Sequence, residues 1–101
     1  MVDLIKNNKE QLIKLCQKYD IQTMHVFGSA STHQFSESSD VDILISFLEI
    51  PIEKYTDNYF GLHEDLEQLF GRKVDLITEK SLSNPYFIKG VEDTKQLLYA
   101  A

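Results

Sequence analysis

Apolar residues recur along the chain with two different periods, and the alternation between them predicts the elements. Over positions 3–19, Leu4, Ile5, Leu12, Ile13, Leu15, Cys16 and Tyr19 gather on one side of a helical wheel. Lys6, Lys9, Glu10, Lys14 and Lys18 fall largely opposite, the pattern of an amphipathic helix. Thr23 to Phe27 is β-branched and aromatic and stops at Gly28-Ser29, which predicts a short strand. Ala30 to Ser39 has no sustained apolar period; it has room for one short helix beginning at Ser29, then a loop. Val41, Ile43, Ile45 and Phe47 alternate with their neighbours and give the clearest strand. After a turn-like stretch around Pro51, Tyr59, Leu62, Leu66, Leu69 and Phe70 follow helical spacing over 57–70. Gly71 stands where a left-handed C-terminal cap belongs. Lys73 to Ile77 reads as a third strand. Asn84-Pro85 is a helix-start signature leading into Phe87, Val91, Thr94 and Leu98. The order helix, strand, strand, helix, strand, helix predicts a small α/β or α+β sheet domain, one unit over 1–101.

Composition narrows the partners. Sixteen acidic against ten basic residues leave a net charge of −6, the reverse of a protein that grips long nucleic acid by counterion release. A nucleotide carrying a divalent cation fits that balance. The single Cys16 cannot form an internal disulfide, which suits a reducing compartment. The first residues lack the basic-then-apolar order of a signal peptide, and no apolar run reaches the roughly 18 residues of a membrane span. A cytoplasmic protein is expected.

The chemistry begins where carboxylates interrupt apolar strands. Asp40 and Asp42 flank Val41 at the mouth of the strand 41–47 and, two residues apart, face the same way. Asp75 interrupts the apolar run of the third strand in the same manner. If the two strands are neighbours, three carboxylates converge and repel one another. A hard, oxygen-seeking ion such as Mg²⁺ or Mn²⁺ relieves that repulsion. An isolated Asp-x-Asp is more often a turn or cap, and the third Asp changes the weighing. Gly28-Ser29 closes a strand and opens a possible helix, a place where backbone can approach phosphate oxygens; alone, that pair is an ordinary turn. His25 is read as a packed or edge histidine, and His63 as part of a solvated helix face. Cys16 and the three histidines are too scattered for zinc. The aromatic residues fall mainly at core spacings, with enough of them around 55–60 and 86–87 to leave some exposed.

Gly28-Ser29, ten intervening residues and Asp40-Val41-Asp42 together resemble the Gly-Ser-x10-Asp-x-Asp signature of the DNA polymerase β-like nucleotidyltransferases. Asp75 in Val74-Asp75-Leu76-Ile77 falls where that family carries its third carboxylate. The length, the opening helix and the flanks of both motifs are most similar to the minimal nucleotidyltransferases of bacteria and archaea, the antitoxin type among them. The resemblance spans nearly the whole chain and is firmest over 23–47 and 73–78. It implies a nucleotidyltransferase palm, a small mixed β-sheet with helices packed on one face. It further implies that Asp40, Asp42 and Asp75 are catalytic and hold Mg²⁺ or Mn²⁺, while Gly28 and Ser29 bind the phosphates of a nucleoside triphosphate, ATP.

Minimal members are commonly encoded beside a helical HEPN-type ribonuclease toxin, and some transfer AMP to a tyrosine of that toxin. The implied activity is therefore magnesium-dependent transfer of a nucleoside monophosphate to a hydroxyl of a protein acceptor, with a HEPN-domain partner. One departure bears on this. The family usually continues after Gly-Ser with one or two Arg, whereas here Ala30-Ser31-Thr32-His33-Gln34 follows. That stretch supports an alternative reading, a nucleotidyltransferase-fold binding module that neutralises its partner by occlusion.

Overall fold

The computed structural model describes residues 2–28 and 40–101. Helices α1 (Val2–Asn7) and α2 (Lys9–Lys18) lead into strand β1 (Ile21–Phe27). Strand β2 (Val41–Phe47) follows, then helix α3 (Ile52–Phe70), strand β3 (Val74–Thr78), helix α4 (Pro85–Thr94) and strand β4 (Gln96–Ala100). The sheet runs β3-β2-β1-β4. β1 pairs antiparallel with β2 and with β4, while β2 pairs parallel with β3. A parallel pair needs a long crossover, and α3 provides it.

Alternation along the strands builds two unequal faces. Met24 and Val26 of β1, Val41, Ile43 and Ile45 of β2, and Val74 and Leu76 of β3 turn to one side. There they are buried against Leu12 and Cys16 of α2 and Leu62, Leu66 and Phe70 of α3. On the opposite face Phe27 and Leu44 meet Val91 of α4, flanked by Ile77 and Leu82. The mixed sheet matches the expectation, with one addition. α1 to α3 share the larger face, and α4 covers the middle of the other.

Several boundaries differ from the sequence reading, and the third strand, read as Lys73 to Ile77, is Val74–Thr78. The predicted helix over 3–19 is two helices, because Asn8 turns its side-chain amide back to the Leu4 carbonyl at 2.8 Å; such local bonds compete with helix continuation. β1 begins at Ile21, two residues early. α3 starts at Ile52 rather than near 57. Ile52 and Tyr55 extend the helical spacing of Tyr59 and Leu62 back to that start, although Ile52 is 78% exposed; Pro51, which reads as a turn, caps the helix in extended conformation. The helix predicted to run through Leu98 stops at Thr94, and Gln96–Ala100 forms β4 on the free side of β1. Leu98 keeps helical spacing from Val91 and Thr94, and a short apolar run does not reveal its period. Gly71 is in the left-handed conformation at φ 65° and caps α3 as predicted. Asn84 caps α4 through its side-chain oxygen, which accepts from the Tyr86 and Phe87 amides.

The outer edge of β3 is closed by a helix rather than a strand. Tyr59, His63 and Glu67 lie one turn apart on α3. The Tyr59 hydroxyl donates to the Leu76 carbonyl, His63 Nε2 lies 2.8 Å from the Val74 carbonyl, and Glu67 accepts from the Val74 amide at 2.9 Å. His63 is thus half-buried and bonded to the sheet, not on the solvated face expected of it. Its Nε2 carries hydrogen, since a carbonyl can only accept.

Two helical glycines should respond oppositely to alanine. A Cβ on Gly61 would lie 2.8 Å from the Tyr19 ring, which is held by its hydroxyl bond to Asp65. A Cβ on Gly90 would meet nothing within 4 Å. Gly61→Ala should lower stability in urea by about 1–2 kcal/mol despite better helix propensity, through overpacking. Gly90→Ala should raise it by up to about 1 kcal/mol.

Candidate active site

The site is assembled by register. Phe27 stands opposite Asp42 in the β1–β2 ladder, and Asp42 stands opposite Asp75 in the β2–β3 ladder. Gly28, one residue past Phe27, therefore passes directly over the Asp42 carboxylate. Its φ is +66°, and a Cβ there would lie 2.6 Å from Asp42 Oδ2. Only glycine fits this turn without strain or collision. The Gly28 amide donates to Thr94 Oγ1 at 2.9 Å, and the Thr94 hydroxyl donates to the Gly90 carbonyl at 2.8 Å. The last turn of α4 thereby fixes where β1 ends. Ser29 and the stretch 30–39, including the predicted helix start, lie outside the described residues.

The three aspartates share the face that α4 only partly covers. Burial, then the hydrogen bond and charge of Asp75 and the charge of Asp40, push the Asp42 carboxyl up to about 6. Asp40 and Asp75 are half-exposed. Lys73, just before β3 and two residues before Asp75, places its ammonium 3.9 Å from Asp40 Oδ2 and 3.9 Å from Asp75 Oδ1. By chemistry the donor set suits a hard divalent cation: three carboxylate groups, with neither sulfur nor imidazole among them. As they stand, the carboxylates are not drawn around one point. Among the described residues no three Asp, Glu, His or Cys side chains are grouped closely enough to hold an ion, and the ammonium occupies the approach to two of them.

Beside the aspartates opens a cleft of about 350 Å³, bounded by Phe27, Phe87, Tyr59, His63, Lys73 and Asp75 among others. A larger hollow of about 620 Å³ lies at the far end of the same face, bordered by Thr23, His25, Ser46, Tyr55 and Glu79. The Leu44–Val91 cluster stands between the two. His25 is packed on interior strand β1, and burial, with the nearby Lys95 charge, lowers its pKa. Cys16 is fully buried and its thiol is pushed up to about 12 by that burial, so it is inert.

A family model for the polymerase beta nucleotidyltransferases matches residues 10–101. The chain belongs to this nucleotidyltransferase family. A Methanocaldococcus jannaschii relative, provisionally named a protein adenylyltransferase, is 40% identical over 79 residues, 78% of either chain. The protein adenylyltransferase MntA of Thermococcus cleftensis is 39% identical over 72 residues, 70% of this chain and 69% of that one. In three dimensions the nucleotidyltransferase resembles a chain from the complex of a tri-AMPylated Shewanella oneidensis HEPN toxin with an MNT antitoxin. The TM-score is 0.67 at 21% identity, covering 96% of this chain and 73% of that one; at that identity the likeness is one of fold. No helix among the described residues is long and apolar enough to cross a membrane.

Sequence reasoning placed Asp42, Asp75 and Gly28 on elements that do adjoin. It overlooked Lys73 and Thr94. The first was legible as a cation two residues before Asp75, whereas nothing in the sequence ties Thr94 to Gly28.

Asp42 supplies a pH test. Its folded-state pKa lies above the ordinary 3.8, so the folded state holds the proton more tightly than the unfolded one. Stability of the metal-free protein should therefore fall as pH rises from about 4 through 6. Asp42→Asn should flatten that stretch of the curve and raise stability at pH 7 by on the order of 1–2 kcal/mol, allowing for solvent screening. Thermal melts across the range measure both. Gly28→Ala should displace the Asp42 carboxylate and destabilise by about 1–2 kcal/mol through its left-handed φ, seen as a lower urea midpoint.

Proposed function

We propose that this nucleotidyltransferase moves AMP from ATP onto a hydroxyl of a protein partner, a HEPN-domain toxin. The observation that carries the reading is the register placing Asp42 beside Asp75 and beneath the Gly28 turn. Carboxylates and a tight glycine turn then lie on one open sheet face. The adenylyltransferase names of the relatives support the reaction, and the AMPylated HEPN toxin in the structurally similar complex supports the acceptor.

In this reading Asp40, Asp42 and Asp75 are the ligands of Mg²⁺ or Mn²⁺, with Gly28 and Ser29 holding the phosphates. The bound ion supplies neutralisation of charge on the reacting phosphate and on the leaving pyrophosphate. The acceptor oxygen bonds to the α-phosphorus, and the bond from that phosphorus to the bridging oxygen breaks. Asp75, half-exposed at the mouth of the cleft, takes the hydroxyl proton, and pyrophosphate departs with the bridging oxygen. Asp42, more buried and pressed by both neighbours, would serve the cation as a ligand and take no part in the proton transfer. Gly28 keeps backbone where a side chain would block the phosphates, and Thr94 keeps that backbone in place. The net negative charge suits a basic protein acceptor and steers its approach.

The test is to incubate the protein with the product of its genomic neighbour as candidate partner, ATP and Mg²⁺, and to weigh that partner by intact-mass spectrometry. One or more AMP increments are expected, with loss of at least about a hundredfold in rate for Asp42→Asn, the scale of removing a key electrostatic group. Inhibition of the partner that survives Asp42→Asn without any mass change would overturn the transferase and leave a binding antidote.

A further inference from the structure

We infer that Lys73 is a built-in counter-cation which holds the place of a divalent ion between Asp40 and Asp75 and must be displaced when that ion binds. The inference rests on reading the three aspartates as metal ligands and adds a competitor from within the same chain. Its basis is placement. Lys73 immediately precedes β3, two residues before Asp75, and β2 lies alongside with Asp40 at its mouth. The Lys73 ammonium thus reaches both carboxylates at once, at 3.9 Å from each. Among the described residues, both ion pairs that Asp40 and Asp75 make are made with this one lysine.

The same numbers make it a weak tenant. The Lys73 side chain is 68% exposed, and both partners are 44% exposed. Solvent-screened pairs at such distances contribute little. A single charge on a flexible stem is also a poorer match for carboxylates than a divalent ion they can ligate directly. The backbone at this point is fixed, since the Val41 amide donates to the Lys73 carbonyl at 3.1 Å. Only the side chain needs to move. The lysine would therefore lower carboxylate repulsion when no ion is bound and reduce apparent metal affinity by the same interaction.

Removing the charge should separate these effects. Mn²⁺ titrations of the full chain, with free Mn²⁺ read by electron paramagnetic resonance, compare wild type, Lys73→Gln, Lys73→Arg and the double variant Asp42→Asn with Lys73→Gln. Lys73→Gln should bind Mn²⁺ about three- to tenfold more tightly, the range that two screened ion pairs can hold back. Lys73→Arg should stay near wild type, and the double variant should lose saturable binding. Without divalent ions, Lys73→Gln should melt below wild type, with the gap closing at saturating Mn²⁺. Unchanged or weaker Mn²⁺ binding by Lys73→Gln, with binding intact in wild type, would overturn the inference and leave the metal reading standing. Absence of saturable binding in wild type and Lys73→Gln alike would overturn the metal reading, and this inference with it.

Discussion

Everything at the site hangs on the parallel pairing of β2 with β3. That pairing joins strands separated in sequence by the 19-residue α3, and it alone brings Asp75 level with Asp42. A slip by one residue would turn every β3 side chain to the other face, carrying Asp75 into the α2–α3 core and Val74 and Leu76 out of it. Burial of Val74 and Leu76 therefore enforces the carboxylate geometry, and the apolar face sets the polar one. The repulsion stored among the aspartates is tolerable because it opposes a much larger burial term from the same strands.

Much of this was legible in the sequence because the relevant signals are local. Alternation over 41–47 gives both the strand and the side its aspartates occupy, and Asn84-Pro85 and Gly71 mark helix ends through backbone chemistry that needs no tertiary context. What escaped depends on partners distant in the chain. β4 exists because β1 has a free side to pair with, and Leu97 and Leu98 look equally helical until that side is known. His63 looked solvated because its partner is a carbonyl on an edge strand. The first turn of α3 escaped for a different reason, since Ile52 and Tyr55 keep the helical spacing while Pro51 reads as a turn.

The site followed the same division. The spacing of Gly28, Asp40 and Asp42 is a motif in one stretch of chain, so it could be read. The link from Thr94 to Gly28 spans 66 residues and joins a helix end to a strand end, and no periodicity encodes it. Lys73 was visible throughout as the start of a strand. Its ion pair with Asp40 comes from what lies across the ladder, not from its own neighbours in sequence.

The stripe of Tyr59, His63 and Glu67 along β3 has a further consequence for access. A sheet edge is usually protected by another strand or by charges that repel one. Here three side chains from α3 take the outward-facing groups of Val74 and Leu76, while Asp75 points its own backbone inward to β2. A fifth strand at this edge would have walled in the carboxylates from the side. Sealed by side chains instead, the strand needs no fifth neighbour, and Asp75 keeps a side chain 44% exposed on the cleft that Tyr59 and His63 also border.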